Sequence, residues 1–108
     1  MLPDLPAPVI AYFNEDKNDS DAIARCFTEQ GVVKDEGRTH TGRAAIRQWR
    51  ANTSAQYNYT SEPFAVEHQA GKTIVTSHVV GDFPGSPVDL RYCFVLEGDK
   101  IAFLEIVP

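Results

Sequence analysis

Two features of the 108-residue sequence predict an α+β fold. Apolar residues recur at helical spacing up to about Asn52 and alternate at period two after about Gln56. Helices come first and strands later, without βαβα alternation, which favours a largely antiparallel sheet. The length suits one domain over residues 1–108. The expected arrangement is a cone. Three N-terminal helices pack in a curved four-stranded antiparallel sheet, with one additional short strand and a pocket at the mouth.

The first helix is expected from Pro6 or Pro8 to about Lys17, because proline fits a first helical turn whose N–H groups lack partners anyway. Val9, Ile10 and Phe13 give it one apolar face. Residues 14–21 are polar and acidic and interrupt the pattern. Asp19 or Ser20 is suited to cap a second helix. Ala22, Ile23, Cys26 and Phe27 would form its stripe, and Gly31 would end it. Val32-Val33 reads as the short strand, and Asp35-Glu36-Gly37-Arg38-Thr39-His40 as a polar loop. Thr41 is suited to cap a third helix that buries Ala45, Ile46 and Trp49. Arg43, Arg47 and Arg50 form a basic stripe on its other side, read either as a solvated face or as a contact for a ligand carboxylate or nucleic acid, the net charge favouring the solvated face. Four strands follow, over residues 56–68, 72–83, 88–96 and 100–107. The first is expected to bend at Pro63. Ala70-Gly71, Pro84-Gly85-Ser86-Pro87 and Gly98-Asp99 supply the turns between them.

Composition narrows the function classes. The net charge of −5 opposes nucleic acid as the main partner, because phosphate binding needs a basic surface. No apolar run approaches a membrane span, and the first residues lack the basic start and apolar stretch of a signal peptide. A cytoplasmic protein is therefore expected. Cys26 and Cys93 sit within apolar patterns and read as free structural thiols. The spacing of His40, His68 and His78 forms no metal motif, so neither a metal nor another cofactor is expected. There is no GxSxG, phosphate-cradling glycine loop or dinucleotide fingerprint.

Three segments carry a family resemblance. Val33-Lys34-Asp35 followed by Gly42-Arg43-Ala44-Ala45-Ile46-Arg47-Gln48-Trp49 resembles the middle of SnoaL-like proteins. Gly98-Asp99-Lys100-Ile101-Ala102-Phe103-Leu104-Glu105-Ile106 is similar to their last hairpin. Gly81-Asp82-Phe83-Pro84-Gly85-Ser86-Pro87-Val88 resembles a subgroup of small bacterial members with no assigned reaction. These proteins belong to the nuclear transport factor 2-like superfamily, of cystatin-like fold, with the ketosteroid isomerases and polyketide cyclases. The resemblance implies that cone, a pocket for a small apolar molecule and a homodimer formed through the sheet.

It also implies a role for Asp35, which falls in the slot of the aspartate that moves a proton between substrate carbons in ketosteroid isomerases. The other reading of Asp35 is a solvated loop residue capping local backbone. Enolate chemistry needs oxyanion donors as well. Counting back from Asp35, the family's first-helix tyrosine slot falls on Ala11. Tyr12 is about 100° further round the helix. The late-strand acid slot falls on Arg91 or Tyr92, with Asp89 near but out of register. Tyr92 is thus either a phenolic donor or a core aromatic. His78 and His40 are the candidate acid–base partners, His78 in mid-strand and His40 in the Asp35 loop. Trp49, Tyr12, Tyr57, Tyr59 and Arg91 are the candidate ligand contacts, with Tyr57 and Tyr59, which share one strand face, read as either pocket wall or dimer surface. Two functions stay open: a cofactor-independent isomerase, cyclase or hydratase with Asp35 as base, and a non-catalytic binding or dimerisation module.

Overall fold

The computed structural model describes residues 5–14 and 19–108. Three helices, α1 (Ala7–Asn14), α2 (Ser20–Arg25) and α3 (Arg43–Gln56), lie against one sheet. Its strands are β1 (Phe27–Asp35), β2 (Arg38–Thr41), β3 (Tyr59–Gln69), β4 (Lys72–Gly81), β5 (Val88–Glu97) and β6 (Lys100–Val107), in spatial order β2-β1-β6-β5-β4-β3. The α+β class holds, but the sheet has six strands and is mixed. β1 runs parallel to β6, with Val33 opposite Leu104 and Asp35 opposite Ile106. All other neighbours are antiparallel.

The N-terminal half departs most from the sequence expectation. The Cys26 and Phe27 positions continue a helical spacing, yet α2 stops at Arg25 and Phe27 opens β1. Asp19 caps α2, accepting the Ala22 N–H at 3.0 Å. Gly31 does not end a helix; it lies inside β1, where the register with β6 shifts between Phe27 and Val32. A Cβ on Gly31 would sit 3.0 Å from the Phe27 Cβ, so glycine lets the strand double back on Phe27. The expected polar loop at Asp35–His40 is a hairpin. Glu36 and Gly37 both have positive φ, 53° and 75°, the mark of a tight two-residue turn. Arg38 to Thr41 then pair back onto Asp35 to Val32. Thr41 is committed to that ladder, so Gly42, with φ 88°, precedes α3 in the cap position and no side chain caps it.

The first helix is described to Asn14, and the expected extension to Lys17 lies outside the described residues. Its buried face is Pro8, Val9 and Tyr12, while Ile10 is exposed. Spacing i, i+3 from Val9 selects Tyr12, whose ring meets Phe13, Phe27, Tyr92 and Phe94 at centroid distances of 5.2, 6.2, 6.3 and 5.6 Å. Edge-to-face pairs of this kind add specificity to burial. Val9, Ile23, Phe27, Val33, Ile46, Val75, Phe94, Ile101 and Leu104 complete the core.

The C-terminal half follows its pattern closely. β3 changes register with β4 between Pro63 and Ala65, where proline cannot donate to the ladder. In β4, Thr73, Val75, Ser77 and Val79 are buried, so this parity faces the helices. Their partners Phe94, Tyr92, Leu90 and Val88 on β5 share that concave face. The opposite parity, including His78, Arg91 and Cys93, faces outward. Cys26 is buried, its thiol donating to the Ala22 carbonyl at 3.5 Å, and Cys93 is half-buried. Among the described residues no helix is long and apolar enough to cross a membrane.

β3 and β4 close on each other at Gly81. A Cβ there would strike the Asn58 carbonyl and the Tyr59 backbone. Gly81→Ala is expected to cost about 1–3 kcal/mol of stability through overpacking. Urea denaturation measures it, and a loss below about 0.5 kcal/mol would mean that this corner yields freely.

Candidate functional site

The concave face of the sheet, α3 and the β1–β2 hairpin enclose an open cavity of about 950 Å³. The length of α3 positions two of its walls. Ile46, Trp49, Arg50 and Thr53 fall at i, i+3, i+4 and i+7, one face of a helix. Ile46 is core, whereas Trp49, Arg50 and Thr53 line the cavity. Tyr57 ends the helix, and Tyr59 opens β3 after it. Their aromatic wall continues through Phe83 in the β4–β5 turn, whose ring is 6.1 Å from Tyr57. Val79, Val88, Leu90 and Ile106 supply an apolar floor.

Asp35 lies at the cavity, at the end of a paired strand. The Trp49 indole N–H donates to its Oδ2 at 3.0 Å. His40, across the hairpin, also lines the cavity, with its ring 6.1 Å from Trp49. Tyr12 reaches in from α1. It is 4% exposed, and among the described residues its hydroxyl has no hydrogen-bond partner. A buried hydroxyl without a partner costs free energy, which a bound acceptor would recover. Tyr92, 6% exposed, also lines the cavity. Burial pushes its phenol from 10.0 up to about 12, partly offset by a hydrogen bond with Ser61. The Ser61 hydroxyl in turn meets Ser77 Oγ at 2.6 Å. Burial raises Tyr12 and Tyr59 as well, and the nearby Arg50 guanidinium works against it in both. All three phenols therefore keep their protons, as donors, at neutral pH.

Asp35, His40, Trp49, Tyr12, Tyr57, Tyr59 and Tyr92 thus surround one cavity. The other two candidates stand outside it. His78 and Arg91 are on the outer face, where the His78 Nδ1 lies 2.7 Å from Asp89 Oδ1. Period two placed His78 correctly with Thr76 and Val80, but parity does not say which face is concave.

The expected solvated arginine stripe divides into three fates. Arg47 pairs with Asp21 at 3.3 Å on the surface. Arg43 turns inward and donates twice to the Phe27 carbonyl, at 3.0 and 2.7 Å. Arg50 enters the cavity, its guanidinium carbon 6.0 Å from the Trp49 ring and 5.6 Å from that of Tyr59. Spacing i+4 from Ile46 was the signal for Arg50, masked by the i, i+4, i+7 run of arginines. Among the described residues no group of three His, Cys, Asp or Glu side chains could hold a metal ion.

The Tyr92 phenol links stability to alkaline pH. Below 10.0 folded and unfolded chains both hold the proton, and the full stability is present. Between 10.0 and about 12 the unfolded chain ionises first, so stability falls as pH rises through the folded value. The loss attributable to this group is on the order of 2–3 kcal/mol. Urea midpoints recorded across that window should decline, and Tyr92→Phe should flatten the decline.

Comparison with known proteins agrees with this architecture. No curated protein matches the chain. Among solved structures, a candidate polyketide cyclase from Sinorhizobium meliloti is 41% identical, with 96% of each chain covered and a TM-score of 0.90. A protein of ketosteroid isomerase-like fold from Catenulispora acidiphila, solved with trimethylamine, is 19% identical over 100% of this chain and 87% of its own, with a TM-score of 0.79. SalBIII, an epoxide hydrolase/cyclase-like enzyme of pyran ring formation in salinomycin, is 23% identical over 92% and 85%, with a TM-score of 0.76. The last two likenesses concern the fold alone. Residues 9–102 match the SnoaL-like domain, and the chain belongs to that family.

Proposed function

We propose that this protein is a cofactor-independent isomerase or cyclase acting on a small, largely apolar carbonyl compound of polyketide type. The observation that carries the reading is Asp35, fixed by Trp49 at the wall of a cavity that also holds the unpartnered Tyr12 hydroxyl. The 41% identity to a candidate polyketide cyclase supports the substrate class.

The proposed step is proton abstraction beside a carbonyl. One Asp35 oxygen is committed to the indole, and the other takes the proton. The C–H electron pair moves into the enolate, whose oxygen accepts hydrogen bonds from the Tyr12 and Tyr92 hydroxyls. Return of the proton to another carbon gives isomerisation, and attack of the enolate on a second carbonyl of the substrate gives ring closure. His40, on the same wall, is the group suited to move a proton to the leaving oxygen in a ring closure that loses water. The compartment in this reading is the reducing cytoplasm, which the thiol state of Cys26 and Cys93 supports.

Deuterium uptake from solvent at the α-carbons of cyclic ketones and β-diketones, read by mass spectrometry, tests the step. Asp35→Asn should lower the uptake rate about a hundredfold to ten-thousandfold. Tyr12→Phe should lower it about a hundredfold. Uptake unchanged by Asp35→Asn would leave a non-catalytic binding module as the function.

A second copy of the chain is the proposed partner of the outer sheet face, where Val80 is exposed and Phe64, in the irregular part of β3, is 52% exposed. Light scattering should give a dimer at micromolar protein. A monomer throughout that range would remove this assembly.

A further inference from the structure

Arg50 is a cation in the cavity that the proton-transfer reading does not use. Its side chain is half-buried between the Trp49 and Tyr59 rings. Its Nε is buried and, among the described residues, has no hydrogen-bond partner. Nor does any carboxylate among them lie within 4.0 Å of it. Asp35 lines the same cavity, yet its Oδ2 is taken by Trp49 and no ion pair joins it to Arg50. The two opposite charges therefore stand apart on one wall. A partly desolvated guanidinium without a counter-ion is costly, and that cost is relieved when an anion arrives. Its planar fork matches two oxygens sharing one negative charge.

The geometry points to a substrate with an anionic head of two oxygens, a carboxylate or an enolised β-diketone, held by Arg50 with its apolar body against the aromatic wall. This deepens the proposed function and takes from it only the assumption that the cavity is where substrate binds. The neighbouring phenols extend the cradle. Arg50 acts on Tyr12, Tyr59 and Tyr92 electrostatically, so its charge reaches all three hydroxyls. Head on Arg50 and reacting carbon near Asp35 would hold the substrate at two points, which fixes which carbon loses its proton.

Isothermal titration with para-tert-butylbenzoate and its neutral isostere para-tert-butylbenzamide tests the assignment. The wild-type protein should bind the benzoate about tenfold to a hundredfold more tightly. Arg50→Gln should abolish that preference, and Arg50→Lys should keep part of it, since charge remains while the fork is lost. Asp35→Asn should preserve the preference or enlarge it. The enolate of dimedone separates the two sources of the head group: tighter binding than the benzoate indicates a β-diketone, weaker binding a carboxylate. Equal binding of benzoate and benzamide by the wild type, no measurable benzoate binding, or a preference that survives Arg50→Gln overturns the assignment. The wild-type comparison stands even where Arg50→Gln fails to fold. Loss of the preference alone would leave Asp35 as base, and deuterium uptake that ignores Asp35→Asn would leave the anion site in place.

Discussion

Two side chains of α3 hold β1 at its two ends. Arg43 donates twice to the carbonyl of Phe27, the first residue of the strand, and Trp49 donates to the carboxylate of Asp35, the last. Charge-assisted and buried bonds of this kind depend on geometry more than isolated surface pairs do. With both ends of β1 fixed to one helix, the distance between helix and strand is set, and so is the width of the cavity between them. The Gly31 irregularity belongs to the same constraint, because the strand must fold over Phe27 to present its carbonyl to Arg43. The Gly42 N–H adds a third tie by donating to the Gly31 carbonyl at 2.8 Å.

On that frame the polar groups of the cavity are spread out and do not neutralise one another. Asp35 answers to Trp49, Tyr92 to Ser61, and Ser61 to Ser77. Arg50 leans on rings and shares a hydrogen bond with Tyr59. Aromatic and aliphatic side chains stand between these polar groups, so a bound molecule would meet both apolar surface and separate donors.

How much of this the sequence discloses differs between the two halves. From Tyr59 onward, period-two alternation and glycine turns mark each strand to within a few residues, and along β3, β4 and β5 exposed residues alternate with less exposed ones. Before it, Thr28-Glu29-Gln30 is polar and partly exposed and the alternation breaks at Gly31, so only Val32-Val33 of β1 reads as strand. The same break conceals the β1–β2 hairpin, so Asp35 reads as a loop residue in the sequence. At the site, Asp35, Trp49 and the tyrosines were legible from residue type and position. Arg50 is legible only as one member of the basic stripe, since three arginines at helical spacing look alike and the depth of α3 against β1 separates them. His78 and Arg91 show the limit of parity: it groups residues by face, and only the curvature of the finished sheet decides which face is inside.

The parallel pairing of β1 with β6 also bears on how the molecule folds. β6 is the last strand in the chain, yet it lies between β1 and β5. The β1–β2 hairpin and the β3–β4–β5–β6 meander are each built from contacts local in sequence, and the pairing of β1 with β6 joins them. The joining contacts bring together residues far apart in sequence, such as Val33 and Leu104, and closing such a loop carries a large entropic cost before any contact compensates it. The Asp35 end of β1 gains its Ile106 neighbour through this long-range pairing, so the cavity wall that carries Asp35 depends on it.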